Sequence, residues 1–381
     1  MTDGYEKTIM QVLNAHIDNM LSGQPILPGH NGPYYDEETE VRNTAHWISL
    51  YAFGYDRTKE SKYKEAVAIL AEKLYSSPYL YPNYVYVSRK SKKDTMNGTV
   101  GPAWIIEGLL KASTVLNDEK YCELAVNVFK SQKYVSRNCL WTRITEQGKD
   151  IGFDLTYNHE LWFAAAGALI LDYKYDAEID KQVQGFLQMS LKGFRILPDG
   201  IINHYVDTWV GLKRAISFNK RYYSKLIADI GGKPSMRYKE EGYHLFSMYA
   251  FALLQKRYAD HPFFKSNKFK KALAITFKKE FLDKLDNANS NLDVTKITKE
   301  HIDKNLNAYA YPYNAPGFEL PYIAHVFFAN DGDKETTAKG IFQKQMDYTF
   351  NGIDGFTRNT EDGVVLTARL YELTRVYDES K

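Results

Sequence analysis

The feature that most constrains the fold of this chain is a helical spacing of apolar residues that recurs along its whole length. Twelve segments of the 381 residues carry apolar side chains three and four positions apart, which is typical of an α-helix with one buried face. Strand-like alternation is confined to short pieces such as 84–87 and 200–202. The sequence therefore predicts an all-α protein. The predicted helices lie near residues 5–22, 42–54, 61–77, 101–115, 118–133, 158–172, 178–193, 241–256, 267–285, 318–330, 336–350 and 361–377.

The predicted helices alternate between two kinds. The odd-numbered helices, such as 61–77 and 268–285, have one apolar stripe and many Lys and Glu residues, as expected of helices with one face in water. The even-numbered helices, such as 101–110 and 159–171, are rich in Ala, Gly and large apolar residues around more of their circumference. We expect the first kind to be external and the second internal. Short turns follow the internal helices, and most of the connections leading into them are longer.

Six such helical hairpins resemble an (α/α)6 toroid, a barrel of six inner and six outer helices. The alternative is an open helical solenoid. The weak similarity between the six units, and the helical chain ends without a polar capping unit, favour the closed barrel. Since no linker rich in Pro, Gly and Ser interrupts the pattern, residues 1–381 are predicted to form a single domain.

Composition and charge exclude several classes of function. The chain has 49 basic and 47 acidic residues, so it lacks the overall positive field that would recruit nucleic acid. No apolar run approaches the ~20 residues that span a bilayer. Residues 1–6 lack the pattern of a signal peptide, so we expect a cytoplasmic protein. The two cysteines, Cys122 and Cys139, have no zinc-site spacing, and we expect neither a metal nor a cofactor.

Polar and aromatic residues concentrate where the long connections enter the internal helices. The N-termini of those helices would meet at one end of the barrel, where their dipoles favour an anionic ligand. The chain is also 14% aromatic, with 30 tyrosines, whose flat faces suit sugar rings. We therefore predict a cavity at this end that binds an acidic carbohydrate. The candidate substrate-binding residues are Tyr35, Asn97, Trp104, Tyr157, Trp162, Glu241, His244, Tyr313 and Arg358.

The most distinctive motif opens the third internal helix. Asn158 and His159 are followed by Trp162 and then by a run of small residues. An asparagine before a helix is often only a cap, but capping explains neither the imidazole nor the indole, which share one helical face.

This segment resembles the N-N-H-x-x-W segment of alginate lyases, with Tyr157 in place of the first asparagine. A second segment, Arg237 followed by Tyr243 and His244, is similar to the R…Y-H element of the same family and of heparinase-type lyases with the toroid fold. The two segments occur in the expected order on internal helices. The separation between them is longer here.

The resemblance implies β-elimination at a uronic acid, with Asn158, His159, Arg237 and Tyr243 as catalytic residues. Asn158 and Arg237 would neutralise the sugar carboxylate and stabilise the negative charge that develops. Either His159 or an ionised Tyr243 would remove the proton, and Tyr243 would protonate the leaving oxygen. A tyrosine acts as a base near neutral pH only beside positive charge, which Arg237 would supply.

Three alternatives share this predicted architecture. A glycoside hydrolase, including an unsaturated-uronide hydrolase, would need a carboxylate pair, and a sugar epimerase would need two histidines. A non-catalytic module would bind glycans through the aromatic residues alone, and the basic aromatic loop 213–225 could hold an anionic polymer. The carboxylates considered are Glu240 or Glu241 with Asp36, Asp154, Glu319 or Asp362; the histidines are His159 and His244, with His46 and His325 as further candidates.

Overall fold

The computed structural model describes residues 3–90, 94–206, 236–286, 307, 309–360 and 362–378. Each of the twelve predicted helices has a counterpart, although the ninth is divided into shorter helices and the twelfth is mostly a 3-10 helix. The predicted basic loop 213–225 lies outside the described residues. The helices are α1 Asp3–Leu21, α2 Val41–Thr58, α3 Ser61–Tyr75, α4 Val100–Leu116, α5 Glu119–Lys130, α6 Tyr157–Tyr173, α7 Ala177–Gly193, α8 Met236–Tyr258, α9 Pro262–Lys265, α10 Asn267–Ile275, α11 Lys279–Asp286, α12 Pro316–Phe327, α13 Gly332–Thr349 and α14 Gly363–Ala368, which continues as the 3-10 segment Arg369–Tyr377.

The even-numbered predicted helices form a closed inner ring. Helices α2, α4, α6, α8 and α12 each pack against the next, and the 3-10 segment closes the ring by contacting both α12 and α2. Every residue of α2 from Val41 to Gly54 is buried, whereas the outer helix α3 buries one stripe that includes Tyr63, Val67 and Leu70. The prediction of an (α/α)6 toroid is therefore confirmed.

Several outer helices begin with a side-chain cap that most of the inner helices lack. The outer helices α5, α7 and α13 are capped by Asp118, Asp176 and Asp331, whose carboxylates accept backbone N–H groups of the first turn. The inner helices α2, α4, α6 and α12 have no side-chain cap. At the end of the barrel with the long connections, these four helices therefore present backbone donors without side-chain caps. The sixth inner element differs, because Asp362 caps α14 by accepting the Val365 N–H at 3.2 Å.

A small antiparallel sheet connects α5 to α6 and was not predicted. Its strands are β1 Lys133–Val135, β2 Leu140–Ile144 and β3 Asp150–Phe153, with Tyr134 opposite Trp141 and Thr142 opposite Phe153. Strands of three to five residues are too short to show a clear sequence period. The strand-like pieces 84–87 and 200–202 contribute only isolated bridges, between Leu80 and Tyr86 and between Ile196 and Ile202. The sheet matters because β3 ends directly before Asp154.

The 3-10 segment carries charges of alternating sign inside the ring. Side chains three residues apart align along a 3-10 helix, which places Arg369, Glu372, Arg375 and Asp378 in one row. Arg369 pairs with Glu372 at 2.8 Å and Arg375 lies 3.5 Å from Asp378. Neighbouring inner helices add Glu319, 2.7 Å from Arg369, and Glu107, which pairs with Arg375. We call these six side chains the charge row.

None of the helices in the described part of the chain is long and apolar enough to cross a membrane.

Candidate active site

A cavity of about 210 Å³ lies at the end of the barrel that carries the long connections. Its walls come from the first turns of the inner helices and from the loops that precede them, as the sequence predicted. Polar and aromatic side chains dominate its lining. The lining residues are Asn31, Tyr34, Asp36, Arg42, Arg89, Asn97, Val100, Trp104, Thr156, His159, His204, Lys239, Tyr243, Phe246, Tyr313, Asn314 and Arg369.

A histidine–aspartate pair lies at the wall of this cavity. His159 Nδ1 lies 2.6 Å from Asp154 Oδ2, and the His159 side chain is 24% exposed while Asp154 is buried. Burial alone would raise the pKa of Asp154, but His159, its hydrogen bond and Arg143 outweigh burial and hold that pKa well below its usual range. Asp154 is therefore ionised and acts only as an acceptor.

The ionised aspartate determines which nitrogen of His159 is basic. Since Asp154 accepts, Nδ1 carries a hydrogen, so the neutral form of the ring has its lone pair on Nε2. Asp154 is itself held by the backbone N–H groups of Thr156, at 3.0 Å, and Thr99, at 3.3 Å. The result is an oriented imidazole whose second nitrogen can remove a proton.

A tight turn before α4 closes over this pair. Asn97 and Gly98 both have positive φ, at 62° and 63°, and Asp94 Oδ1 accepts the Gly98 N–H at 2.8 Å. A Cβ on Gly98 would overlap both Asp154 Oδ2 and His159 Nδ1. Only glycine therefore fits at position 98 without displacing the pair.

We expect Gly98→Ala to lower turnover by about 10²-fold, because it displaces the histidine–aspartate pair by a fraction of an ångström or more. The matched control is Gly148→Ala, since Gly148 also has positive φ, 78°, but a Cβ there meets nothing within 4 Å. The control should cost about 1 kcal/mol of stability and leave turnover intact. Steady-state rates and thermal unfolding of both variants measure the two effects, and equal rates in the two would contradict the close packing.

Four cationic side chains contribute to the wall of the cavity. The cations are Arg42, Arg89, Lys239 and Arg369, and the described lining residues include one carboxylate, Asp36. Arg42 pairs with Glu38 at 2.6 Å, and Arg89 contacts Asp94 at 3.1 Å and Asp36 at 3.4 Å. Because the partners Glu38 and Asp94 do not line the cavity, the cavity surface is more basic than its surroundings.

Glu38 and Arg42 form an ion pair that is buried from solvent. Both side chains are buried, and burial raises the pKa of Glu38 to about 7 against the pull of Arg42. Arg42 also stands over the ring of Trp104, with its guanidinium carbon 5.1 Å from the ring centroid. The guanidinium is therefore held beside the aromatic wall of the cavity.

Arg369 connects the charge row to the cavity wall. Its guanidinium donates to the backbone carbonyls of Tyr313, at 2.6 Å, and Asn314, at 2.9 Å, as well as to Glu319 and Glu372. Burial raises the pKa of Glu372 to about 7, although Arg369 opposes the shift. Most of the N–H donors of Arg369 are engaged by protein groups. Its role is therefore to position the part of the cavity wall that includes Tyr313.

A cluster of tyrosines forms part of the cavity wall. Tyr34 and Tyr243 share a hydrogen bond of 3.2 Å between their hydroxyls, and Lys239 lies over both rings, at 4.8 Å and 6.0 Å. Burial raises the pKa of Tyr243 well above its usual value, with Tyr313 and Tyr34 adding to the shift. Tyr243 therefore stays protonated and can donate a proton; the predicted role as an ionised base does not fit this environment.

The structure brings only part of the predicted site together. The predicted residues that line the cavity are Asn97, Trp104, His159, Tyr243 and Tyr313. On α6, the neighbours of His159 lie in the core: Tyr157 donates to Ser190 at 3.1 Å, and Trp162 stacks on Phe246 with centroids 4.7 Å apart. Asn158 is buried beside them and does not line the cavity. Its predicted contact with a substrate carboxylate therefore lacks a basis in this geometry.

The predicted residues on α8, apart from Tyr243, are also engaged elsewhere. Arg237 donates from Nε to Glu241 at 2.7 Å and pairs with Asp199, so neither Arg237 nor Glu241 lines the cavity. His244 accepts the Ile202 N–H at 3.2 Å and packs in the core against Phe281. Arg237 consequently cannot supply the positive charge that was predicted to activate Tyr243. Lys239 occupies that position instead.

Two more predicted binding residues, Tyr35 and Arg358, lie outside the cavity lining. The further candidate histidines, His46 and His325, lie outside it as well. Tyr35 is 42% exposed and stacks on His30, and Arg358 reaches the Phe350 carbonyl at 3.5 Å. His46 is buried against Tyr371, and His325 belongs to the far half of α12. None of these residues lines the cavity.

Buried His244 predicts a measurable pH dependence of stability. Burial lowers its pKa from 6.5 to about 3, so the unfolded chain binds a proton in this range while the folded protein does not. Its contribution to stability is complete above pH 6.5 and is lost as the pH falls toward 3, by up to about 1.4 kcal/mol per pH unit. We expect His244→Gln to reduce the slope of the unfolding free energy against pH, on the acid side, by the contribution of one bound proton. Urea unfolding at several pH values measures this slope. Identical slopes in the two proteins would show that His244 is not buried in its neutral form.

Arg89, His204, Lys239 and Arg369 also line the cavity but were not singled out from the sequence. Arg89 and His204 belong to loops whose course a sequence pattern does not define. Lys239 lies one turn before Tyr243 on α8, so helical spacing could have identified it. The alternation of Arg369, Glu372 and Arg375 at intervals of three was a visible signal for a buried row of charges.

Neither cysteine joins the site, and within the described residues no group of three or more His, Cys, Asp or Glu side chains is arranged to hold a metal ion.

Comparison with known proteins identifies relatives of the whole chain. No family model matches it. The archaeal glycosylation protein Q of Haloferax volcanii is 29% identical over 361 residues, which span 92% of this chain and 91% of that protein.

Three solved structures share the fold across nearly the entire chain. Cellobiose 2-epimerase from Spirochaeta thermophila has a TM-score of 0.62 at 13% identity, covering 99% of this chain and 97% of that one. Unsaturated glucuronyl hydrolase from Bacillus sp. GL1 has a TM-score of 0.60 at 12% identity, covering 98% and 96%. The GH76A α-1,6-mannanase from Salegentibacter has a TM-score of 0.55 at 12% identity, covering 100% and 99%. Enzymes of several reaction types thus share this toroid, and the fold does not select β-elimination.

Proposed function

We propose that this protein is an enzyme that removes a proton from a sugar carbon of an acidic carbohydrate, with His159 as the base. The observation that carries the proposal is the pairing of His159 with ionised Asp154 at the wall of a basic, aromatic cavity. The relatives add support, because the similar proteins are named for glycosylation or for reactions on sugars. The finer assignment is β-elimination at a uronic acid.

In this mechanism the cationic wall neutralises the sugar carboxylate. Arg42, Arg89 and Lys239 stabilise the negative charge that spreads from the adjacent carbon onto the carboxylate as its proton leaves. His159 Nε2 takes that proton, and Asp154 stabilises the imidazolium that forms. The electron pair of the broken C–H bond forms the new C=C bond as the neighbouring C–O bond breaks. Tyr243 gives its proton to the departing oxygen, and solvent restores both groups.

One observation favours epimerisation as a second candidate. His204 lines the same cavity as His159, and its ring centroid is 5.8 Å from that of Tyr243. An epimerase needs one group to remove a proton and another to return it on the opposite face. His204 would replace His244, which lies in the core, as the second histidine.

The described lining offers less support for a glycoside hydrolase. Of the carboxylates considered from the sequence, Asp36 is the one that lines the cavity, and it is 3.4 Å from Arg89. Asp154 is buried behind His159, and Glu319 pairs with Arg369. The described residues therefore do not place two carboxylates across the cavity, as hydrolysis with a general acid and a general base requires.

The test is incubation with a panel of uronic-acid oligosaccharides and polymers, followed by ultraviolet absorbance, mass spectrometry and proton NMR. An unsaturated product supports β-elimination, and an isomer of unchanged mass supports epimerisation. A product one water heavier than the elimination product would replace the proposal with hydrolysis. Saturable binding with no conversion would show a glycan-binding protein and overturn the enzymatic assignment.

A further inference from the structure

The three arginines at the wall of the cavity differ in how many of their N–H donors the protein already uses. Arg89 donates from Nε to the Asp94 carbonyl at 2.7 Å and from Nη1 to Asn97 at 3.0 Å. Its Nη2 lies 3.1 Å from the Asp94 carboxylate. Arg369 is held in the same way, by two backbone carbonyls and two carboxylates. Both guanidinium groups are therefore engaged by the protein on all their nitrogens.

Arg42 has N–H donors that the protein does not use. Its side chain is 2% exposed and lines the cavity. Nη2 lies 2.6 Å from Glu38 Oε2 without the alignment of a hydrogen bond, and Nε meets no hydrogen-bond partner among the residues that the structure describes. A buried donor without a partner costs stability, and a guanidinium carries five N–H groups. A ligand that accepts hydrogen bonds from Arg42 would remove this cost.

The surroundings of Arg42 suit a sugar that carries a carboxylate. The planar guanidinium matches a carboxylate through two parallel hydrogen bonds. Trp104, whose ring centroid is 5.1 Å from the guanidinium carbon, adds a flat apolar face to the same wall, and such faces suit sugar rings. Helix α2 has no side-chain cap, so its dipole adds positive potential near its first turn, where Arg42 lies. A neutral sugar would use the aromatic face but leave the guanidinium without an anionic partner.

We propose that Arg42 is the residue that makes the cavity specific for a uronic acid, by binding the carboxylate of one sugar ring. The inference rests on the proposed function, in which that carboxylate is neutralised while a proton leaves the adjacent carbon. It assigns direct recognition of the carboxylate to one of the four cations of the wall. Arg89 and Arg369 keep the wall in place, and Lys239 lies over the rings of the tyrosine cluster.

Glu38 gives this recognition a dependence on pH. Burial raises the pKa of Glu38 to about 7, and a second negative charge beside Arg42 raises that pKa further. Glu38 therefore takes up a proton from solvent when a uronate binds. The affinity for uronate should rise as the pH falls toward 7 and level off below it, where Glu38 of the free protein is already protonated. The other charged and titratable groups that interact with Glu38 are Arg89 before α4, Tyr313 before α12, Asp362 before α14, and His30.

The test is calorimetric titration of the full chain with glucuronate, galacturonate and mannuronate, and with the three corresponding hexoses. We expect at least one uronate to bind about tenfold or more tightly than its hexose. Arg42→Met should weaken uronate binding by about 10–100-fold, and Arg42→Lys should weaken it less, because lysine keeps the charge but not the planar fork. The matched control is Arg257→Met, which removes an arginine that pairs with Asp172 and does not line the cavity. It should bind uronate as the wild type does.

Glu38→Gln tests the proton uptake separately. Glutamine keeps the shape of the side chain but does not titrate, so the uptake at this position should disappear. Titrations in buffers of different ionisation enthalpy, at pH values on both sides of 7, measure the number of protons taken up. Equal uptake by the wild type and Glu38→Gln would show that Glu38 does not respond to the bound carboxylate.

The proposal is overturned if no uronate binds more tightly than its hexose, or if Arg42→Met and Arg257→Met bind uronate equally well. Thermal unfolding of each variant separates lost binding from lost folding, and Arg42→Lys keeps a cation beside Glu38 if Arg42→Met does not fold. These titrations do not depend on turnover. Uronate binding through Arg42, without conversion of any substrate, would contradict the proposed function and leave the role of Arg42 intact.

Discussion

Replacing His159 with alanine is expected to lower kcat by about 10²–10⁴-fold, the range that a positioned general base contributes. Asp154→Asn should be nearly as damaging, because an amide no longer requires the hydrogen to stay on Nδ1 of His159. Both effects should appear in kcat with little change in substrate affinity, since neither group neutralises the sugar carboxylate. Initial rates over a range of substrate concentrations measure them.

The control for this pair is His325→Ala. His325 is also a partly buried histidine of an inner helix, but it does not line the cavity. Its loss should leave kcat close to the wild-type value. If His159→Ala and Asp154→Asn both retain wild-type turnover while remaining folded, His159 is not the base and the proposed mechanism fails.

The second large effect is on stability and arises from the charge row. Arg375→Met should cost about 3–5 kcal/mol of unfolding free energy, because it leaves Glu107 buried without a partner. Glu107 is 4% exposed on its side chain, so water compensates little of the lost attraction. Urea unfolding, followed by the midpoint and the slope, measures the change.

The double variant Glu107→Leu/Arg375→Met distinguishes an unpaired charge from a simple loss of packing. Replacing both partners with apolar side chains removes the buried carboxylate that the single variant leaves unpaired. Most of the lost unfolding free energy should therefore be recovered. If the double variant is as unstable as the sum of the two single variants, the pair stabilises the fold through its shape and not through its charges.

The position of the cavity was predictable because inner helices have a recognisable composition. Small and apolar residues surround α4 and α6 on nearly all sides, so the sequence showed which helices form the ring. The polar residues that precede those helices must then meet at one end. Trp104 and His159 were located in this way, from helix type and from position in the first turn.

The direction of each side chain was harder to predict. Tyr243 and His244 are adjacent on α8, about 100° apart around the helix, and only the first reaches the cavity. Because both faces of an inner helix are buried, hydrophobicity does not distinguish them. Arg237 was misassigned for a different reason: its partner Asp199 is 38 residues away, and no local pattern reveals such a pair.

The way in which the ring closes has a consequence for synthesis of the protein. The last inner element, residues 369–377, packs against α2, which leaves the ribosome more than 300 residues earlier. Until that element is made, α2 and α12 each lack one neighbour, and the growing chain exposes apolar surface that the finished barrel hides. Such intermediates are prone to aggregate. The nascent protein should therefore depend on chaperones until residues 369–377 have been made, and ribosomes that stall before residue 369 should release chains that cells degrade.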